Sequence, residues 1–267
     1  MHKLWQGDCL ELMKNIHDGS VDLVLTDLPY GITACKWDSV IPFEPMWEQL
    51  NRIIKPNGVI CLFGSEPFSS ALRMSNIKNF KYDWYWLKSR KTGFLNAKKQ
   101  PLRMVENISV FYKTQCTYNP QMKSVKERFN KRTGETKCYG KHFAVQSSNN
   151  GLEYPFNAIK FKCISHPKHN TQKPVDLLEY LIKTYTNEGE TVLDFTAGSM
   201  STVVACINTK RNCIAIEKDE HYFNVGCERV HNHILDNNID LCYNQVCGGV
   251  VLWQNSKTEQ AKDMDGF

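Results

Sequence analysis

VDLVLTDLPYG, residues Val21–Gly31, decides how the rest of the chain is read. Val21 to Thr26 is an apolar run of strand length that follows the turn residues of His17–Ser20 and stops at an aspartate. A core strand would continue, but Pro29 removes a backbone donor and halts pairing. A surface turn would be polar, yet Leu28 and Tyr30 stand there as though facing water. Neither ordinary reading explains an aromatic residue set beside an acid at the end of a buried strand.

Outward from this stretch, short apolar runs alternate with amphipathic ones. Lys3–Gln6 reads as a short strand, and Asp8 as the cap of a helix over CLELMKNI. Pro45–Ile54 is expected to be helical and VICLFG (59–64) to be a buried strand, with a helix from Pro67 to Met74. KYDWYWLK and NISVFYK read as strands joined by the basic loop SRKTGFLNAKKQPLR. Periodicity fades from Thr114 to about Ser165 and returns at PVDLLEYLIKTY, where Leu177, Leu178, Leu181, Ile182 and Tyr185 form one helical stripe. Strand TVLDF, turn AGS, helix STVVACIN, strand NCIAIE and helix DEHYFNVGCERV follow, and VCGGVVLW is a further strand candidate before a polar tail. Such alternation predicts an α/β protein built on a mainly parallel sheet.

With 267 residues the chain is long enough for a full core. It has no run of eighteen apolar residues and no leader-like N-terminal segment, so neither a membrane span nor a signal peptide is expected. The eleven cysteines are odd in number and form no C-x-x-C pair, and Cys61, Cys206 and Cys213 sit inside apolar runs. A reduced, cytoplasmic protein is the expectation. Cys163, His166 and His169, with Cys138 and His142 nearby, have a metal-like spacing that a cysteine-rich loop produces by chance, and no metal is expected.

Charge is unevenly spread. Between Lys81 and Lys141 fifteen Lys or Arg face four acids, which leaves a net acidic remainder in a chain of net charge +5. Aromatic residues, among them Tyr82, Trp84, Trp86, Phe94 and Tyr112, interleave with these cations. A surface for a polyanion is implied, and nucleic acid is favoured because bases stack on rings; a solvated basic loop is the plainer alternative.

A second strand end is chemically distinctive: LDFTAGS, Leu193–Ser199, leads through small residues into a helix. Ligands of open α/β sheets lie at the carboxyl ends of strands, where glycine permits close approach. Glu217 ends the next strand, 23 residues beyond Asp194, in position to accept hydrogen bonds from ribose hydroxyls. Taken separately, Asp194 could cap a helix and Glu217 could be solvated.

Together, the two strand ends resemble the amino-methylating DNA methyltransferases, whose catalytic motif is D/N/S-P-P-Y/F/W. GDCLELMKNI with VDLVLTDLPYG looks like that family's third and fourth motifs, NTQKPVDLLEYLI (170–182) like the tenth, and DFTAGSMST (194–202) like the first. FLNAKKQPLRMVENISVFYK is similar to the corresponding stretch of phage-type and restriction-modification members. The catalytic motif precedes the cofactor motif, with a basic segment between them, which is the permuted β-type order. The resemblance spans most of residues 1–230. It implies a Rossmann-like methyltransferase sheet of about seven strands, one antiparallel, with S-adenosyl-L-methionine at its switch point.

It also implies roles. Asp27 and the carbonyl of Leu28 would accept the two hydrogens of an exocyclic amine, Pro29 would stiffen the loop, and Tyr30 would stack on a base flipped out of double-stranded DNA. Asp8 would meet the cofactor's adenine amine and Glu217 its ribose. Asp194, Phe195, Thr196, Gly198 and Ser199 would shape the pocket, with Thr171 and Lys173 near the carboxylate. Asp27 favours adenine N6 over cytosine N4, and a weakly catalytic DNA-binding homologue is the rival from another class. Met200 replaces the family's second glycine; a need for positive φ there would strain it or narrow the pocket.

By this division residues 1–113 form the catalytic half, 114–165 the target-recognition region, 166–235 the cofactor half and 236–267 an extension expected to be partly disordered. Lys88, Arg90, Lys91, Lys98, Lys99, Arg103, Lys123, Lys126, Arg128, Lys131 and Arg132 are the candidate phosphate contacts. A homodimer is left open.

Overall fold

The computed structural model describes residues 1–31, 38–132, 135–136, 140–141, 145–165, 172–246 and 250–254, those of 130–147 and beyond 241 by their backbone alone. Ten strands join in one sheet: β1 (His2–Gln6), β2 (Val21–Asp27), β3 (Ile54–Gly64), β4 (Phe80–Thr92), β5 (Arg103–Phe111), β6 (Ala158–Phe161), β7 (Thr191–Asp194), β8 (Asn212–Glu217), β9 (Cys242–Val246) and β10 (Val250–Gln254). Their spatial order is β6-β4-β5-β3-β2-β7-β8-β1-β10-β9. The seven from β4 to β1 are the expected core, parallel except for β5, which runs antiparallel to both β3 and β4. Three strands go beyond that expectation. β6 adds in parallel to β4 at one edge, and the β9–β10 hairpin adds to β1 at the other, so VCGGVVLW is part of a hairpin rather than one strand.

Among the described residues, six helices flank the sheet: α1 (Cys9–Leu12), extended by a 3-10 turn at Met13–Asn15, then α2 (Phe43–Ile53), α3 (Phe68–Ser75), α4 (Val175–Tyr185), α5 (Ser201–Asn208) and α6 (Glu220–Asp236). Alternate residues of the central strands enter two different cores, as the two-residue period of a strand requires. Leu23 and Leu25 of β2 and Cys61 and Phe63 of β3 pack with the apolar stripes of α4, α5 and α6. Val24, Ile60 and Leu62 pack with Met46, Trp47, Leu50 and Ile53 of α2 and Phe68 and Leu72 of α3. Burial on both faces is why these strands read as continuous apolar runs.

From β2 the chain crosses to β3 on one side, whereas from β7 it crosses to β8 on the other. The order therefore reverses between β2 and β7, and a crevice opens at the carboxyl ends of these two neighbours. Asp27 and Asp194 are their last residues.

The chain divides into two compact units, Met1–Tyr118 with Asn157–Phe267, and Asn119–Phe156. The second holds short antiparallel ladders, Phe129–Arg132 against Val145–Ser148 among them. Among the described residues, no helix is long and apolar enough to cross a membrane, and no group of His, Cys, Asp or Glu could hold a metal. Cys138, His142, His166 and His169 lie outside those residues.

Candidate active site

A cleft of about 730 Å³ occupies the switch point, lined by the ends of β2, β7 and β8 and by residues of β3, β4 and β5. That is within the ~300–1,000 Å³ range of small-molecule sites. Asp8, Asp27, Leu28, Pro29, Tyr30, Lys173, Asp194, Phe195, Thr196, Gly198, Ser199 and Glu217 all border it. Thr171 lies outside the described residues.

Asp27 has both carboxylate oxygens occupied. The Tyr30 hydroxyl donates to Oδ1 at 2.6 Å, and the Lys173 ammonium donates to Oδ2 at 2.5 Å. Lys173 also reaches Glu106 Oε1 at 2.8 Å, while Lys88 lies 3.4 Å from Glu106 Oε2. The result is a chain of alternating charge, Asp27–Lys173–Glu106–Lys88, largely removed from water. Burial and the charge of Glu106 push the Asp27 carboxyl above its ordinary range, and Lys173 opposes them. Burial also acts to raise Glu106, but Lys173 and Lys88 overcome it and hold Glu106 low. Burial alone would lower the Lys173 ammonium; its two carboxylates outweigh that and raise it. Burial and the same carboxylates raise the Tyr30 phenol, which stays protonated and can donate.

Three of these placements differ from the reading of the sequence. Leu28 does not face water but is buried in the α2–α3 core, and Tyr30 is half-buried, its ring centroid 5.2 Å from that of Phe68. Lys173, placed near the cofactor's carboxylate by resemblance, commits its ammonium to Asp27 and Glu106. Sequence reasoning missed Glu106 altogether. The available signal was an acid interrupting the apolar run of β5, which a strand tolerates in a core only with a partner.

Hydrogen bonds fasten β2 to the turn after β7. The Thr26 hydroxyl donates to Asp194 Oδ1 at 2.7 Å and accepts from the Phe195 backbone N–H at 2.9 Å. Thr202 in the first turn of α5 donates to Asp194 Oδ2 at 2.5 Å, and Thr196 donates to the backbone carbonyl of Asp27 at 2.9 Å. Phe195 thus supplies a backbone donor that ties this turn to β2. Burial lifts Asp194 from 3.8 to about 6 against the pull of these hydroxyls. A raised carboxyl costs stability when ionised. That cost is full above pH 6, shrinks as pH falls through the folded value, and is gone below 3.8. Thermal denaturation of Asp194→Asn from pH ~3.5 to ~6.5 should therefore lack the loss of stability that Asp194 adds to the parent as pH rises, because the titrating group is gone.

Glu217 has one oxygen on the Gly198 N–H at 2.7 Å and the other on the Asp219 N–H at 2.8 Å. Burial raises its carboxyl. Both oxygens keep lone pairs for further donors from the cleft. Asp8 caps α1 through Leu10 N–H at 3.0 Å and meets Lys218 at 3.0 Å; although burial opposes it, the Lys218 contact holds Asp8 low. The sequence-predicted acids thus stand at intervals along one crevice.

Met200 adopts φ 60° and ψ 34°, the left-handed conformation that glycine takes at little cost. Its side chain is fully buried and points away from the cleft, toward α6, where Gly226 leaves room for it. A Cβ on Gly226 would come 2.4 Å from Met200 Cγ and 3.2 Å from the Gly198 carbonyl. The strain foreseen at Met200 is present, while the pocket is not narrowed. Gly226→Ala should destabilise the protein by about 1–3 kcal/mol in denaturant titration. Cofactor binding should weaken as well, because the Gly198 turn is displaced; Met200→Ala in the same chain should restore part of both.

The model of the N6/N4 DNA methylase family matches residues 21–228, and the chain belongs to that family. The DNA adenine methyltransferase YhdJ of Escherichia coli K12 is 29% identical over 244 residues, covering 84% of this chain and 81% of that protein. Among solved structures, the complex of M1.HpyAVI with S-adenosylmethionine is 26% identical with a TM-score of 0.58, covering 86% of this chain and all of that one. PvuII DNA methyltransferase, a cytosine-N4-specific enzyme, shares the fold with a TM-score of 0.65 at 17% identity, over 89% of this chain and 88% of that one.

Proposed function

We propose that this DNA methyltransferase, of the permuted β-type order, transfers the methyl group to N6 of an adenine flipped out of double-stranded DNA, with Asp27 as the acceptor that orients the amine. The observation that carries this reading is a half-buried aspartate, not a serine, at the end of β2, beside an aromatic ring and bordering a cleft of about 730 Å³. Relatives include enzymes for both bases, and cytosine N4 is the competing assignment.

S-adenosylmethionine is the cofactor and supplies an electrophilic methyl group on a sulfonium. The cleft fits it: Glu217 and Asp8 present acceptors toward a nucleoside, and the small residues Ala197, Gly198 and Ser199 leave room beside Asp194. An adenine amine is a poor nucleophile because its lone pair is delocalised into the ring. Hydrogen bonds from N6 to the Asp27 carboxylate and the Leu28 carbonyl favour a pyramidal nitrogen with a directed lone pair. Asp27 would stabilise the positive charge that methylation places on N6 and then take up the proton. Lys173 opposes protonation of Asp27 until then. Tyr30 must leave Asp27 Oδ1 for the amine to enter, and its freed ring stacks on the base. Pro29 limits that motion to the side chain.

Lys123, Lys126 and Arg128 are exposed in the unit Asn119–Phe156, and Lys91, Lys98, Lys99 and Arg103 along the β4–β5 hairpin. We assign these to phosphates, with Arg90 at the cleft's edge; Lys88 instead serves Glu106. The side chains of Lys131 and Arg132 lie outside the described residues. The decisive experiment incubates the protein with unmodified genomic DNA and S-adenosylmethionine, followed by nucleoside mass spectrometry and methyl-aware sequencing. N6-methyladenine at one short motif is the expected product; N4-methylcytosine instead would replace the adenine assignment, and no methylated base would end it.

A further inference from the structure

The β4–β5 hairpin runs well past the sheet. Its base belongs to the cleft, where Trp86, Lys88, Arg90, Thr92 and Glu106 form part of the lining. Beyond that, every residue from Ser89 to Val105 is exposed. At the tip, Gly93 takes φ 87° and turns the chain into a 3-10 turn at Phe94–Asn96. Phe94 and Leu95 are 77% and 85% exposed, among the most solvent-accessible large apolar side chains of the protein. Hydrogen bonds from Asn96 N–H to Gly93 and from Ala97 N–H to Phe94 fix the turn, and Lys99 and Gln100 N–H both donate to the Asn96 carbonyl. Two bulky apolar side chains are thus held outward on a defined turn, exposed to water.

The surroundings identify what covers them. Between Ser89 and Val105 there are five cations, Arg90, Lys91, Lys98, Lys99 and Arg103, and no acid. A second copy of this hairpin would be repelled. A duplex, by contrast, offers phosphates to the cations and a stack of apolar base faces to the tip. We propose that Phe94 and Leu95 are a wedge that enters the base stack of duplex DNA beside the target base, holding the duplex open while that base occupies the Asp27 cleft. This rests on the reading of the cleft as a base-methylating site. Extruding a base leaves a gap that the stack would otherwise close by drawing the base back. A side chain inserted there removes that return path, and the hairpin ties it to the strand whose neighbour, β5, carries Glu106.

The test uses two duplexes bearing the motif found by sequencing, one fully paired and one with the target base opposite an abasic site. The abasic duplex has already lost the pairing that a wedge must overcome. Phe94→Ser/Leu95→Ser should methylate the paired duplex about tenfold more slowly or worse, which corresponds to roughly 1.4 kcal/mol or more of lost opening. On the abasic duplex it should stay within about threefold of the parent. Phe94→Leu, which keeps an apolar tip, should retain most activity on both. With 2-aminopurine at the target position, the parent should give a fluorescence rise on the paired duplex that the double variant lacks. Equal rates on the paired duplex, or an equal loss on both duplexes, overturns the wedge while leaving the methyltransferase reading intact. A change of oligomeric state in the double variant, measured by light scattering without DNA, assigns the tip to self-association and also overturns it. No transfer by the parent to either duplex defeats the cleft reading itself.

Discussion

Asp27→Ala is expected to lower methyl transfer by about a thousandfold or more while leaving DNA affinity nearly unchanged. The size follows from what is lost: one preorganised partner of a developing charge is worth ~10²–10³ in turnover, and misalignment of the amine adds to it. The fold should survive, because the ion pair between Lys173 and Glu106 remains at 2.8 Å and Thr196 grips the backbone of residue 27, not its side chain. Affinity should survive because phosphate contacts lie on other elements. Asp27→Asn should fail almost as fully. Its oxygen would turn toward Lys173, which leaves an amide NH₂ where the incoming amine needs an acceptor. Single-turnover transfer from labelled cofactor, with fluorescence anisotropy for DNA binding, separates the two effects. Turnover within about tenfold of the parent would remove Asp27 from the chemistry.

Much of this site was legible in the chain because its signals are local. Asp8 caps α1, and TVLD, STVVACIN and NCIAIE form β7, α5 and β8 with almost the boundaries read from them. In each case an apolar period is bounded by small or capping residues within a few positions. The switch point follows from the order of those elements. What stayed hidden depends on partners far along the chain. Glu106 makes sense in a buried strand only once Lys173 and Lys88 are beside it. Met200 could be marked as strained by its position, but the room for its side chain comes from Gly226, one helix later, and a lone helical glycine carries no such message in sequence. Leu28 looked exposed because Pro29 ends the strand, yet the α2–α3 layer extends far enough to cover it. The hairpin beyond Ser89 read as a basic loop; only its length and the exposure of its tip show that apolar residues, and not charge alone, are being presented.

Lys173→Met should produce a loss that pH partly reverses. Methionine fills nearly the same volume, so the substitution mainly removes the cation between Asp27 and Glu106. Two buried carboxyls then face one another with Lys88 alone, and Lys88 contacts Glu106. Asp27, already raised by burial and by Glu106, loses the group that opposes them and moves further up. More of it is then protonated and accepts the amine poorly, and turnover should fall by about a hundredfold. As pH rises the carboxylate returns, so turnover should climb with pH more steeply than in the parent. Stability should move the other way. A carboxyl with a raised folded pKa binds protons more tightly folded than unfolded, so the variant should be closest to the parent in acid and fall behind it as pH rises. At the alkaline end the deficit should approach the ~3–5 kcal/mol typical of an unpaired buried charge. Lys173→Arg keeps the charge and should show neither trend. Paired pH profiles of turnover and of denaturant midpoint are the measurement. Opposite slopes identify Lys173 as the group that holds Asp27 ionised, whereas a uniform reduction parallel to the parent would reduce it to a packing residue.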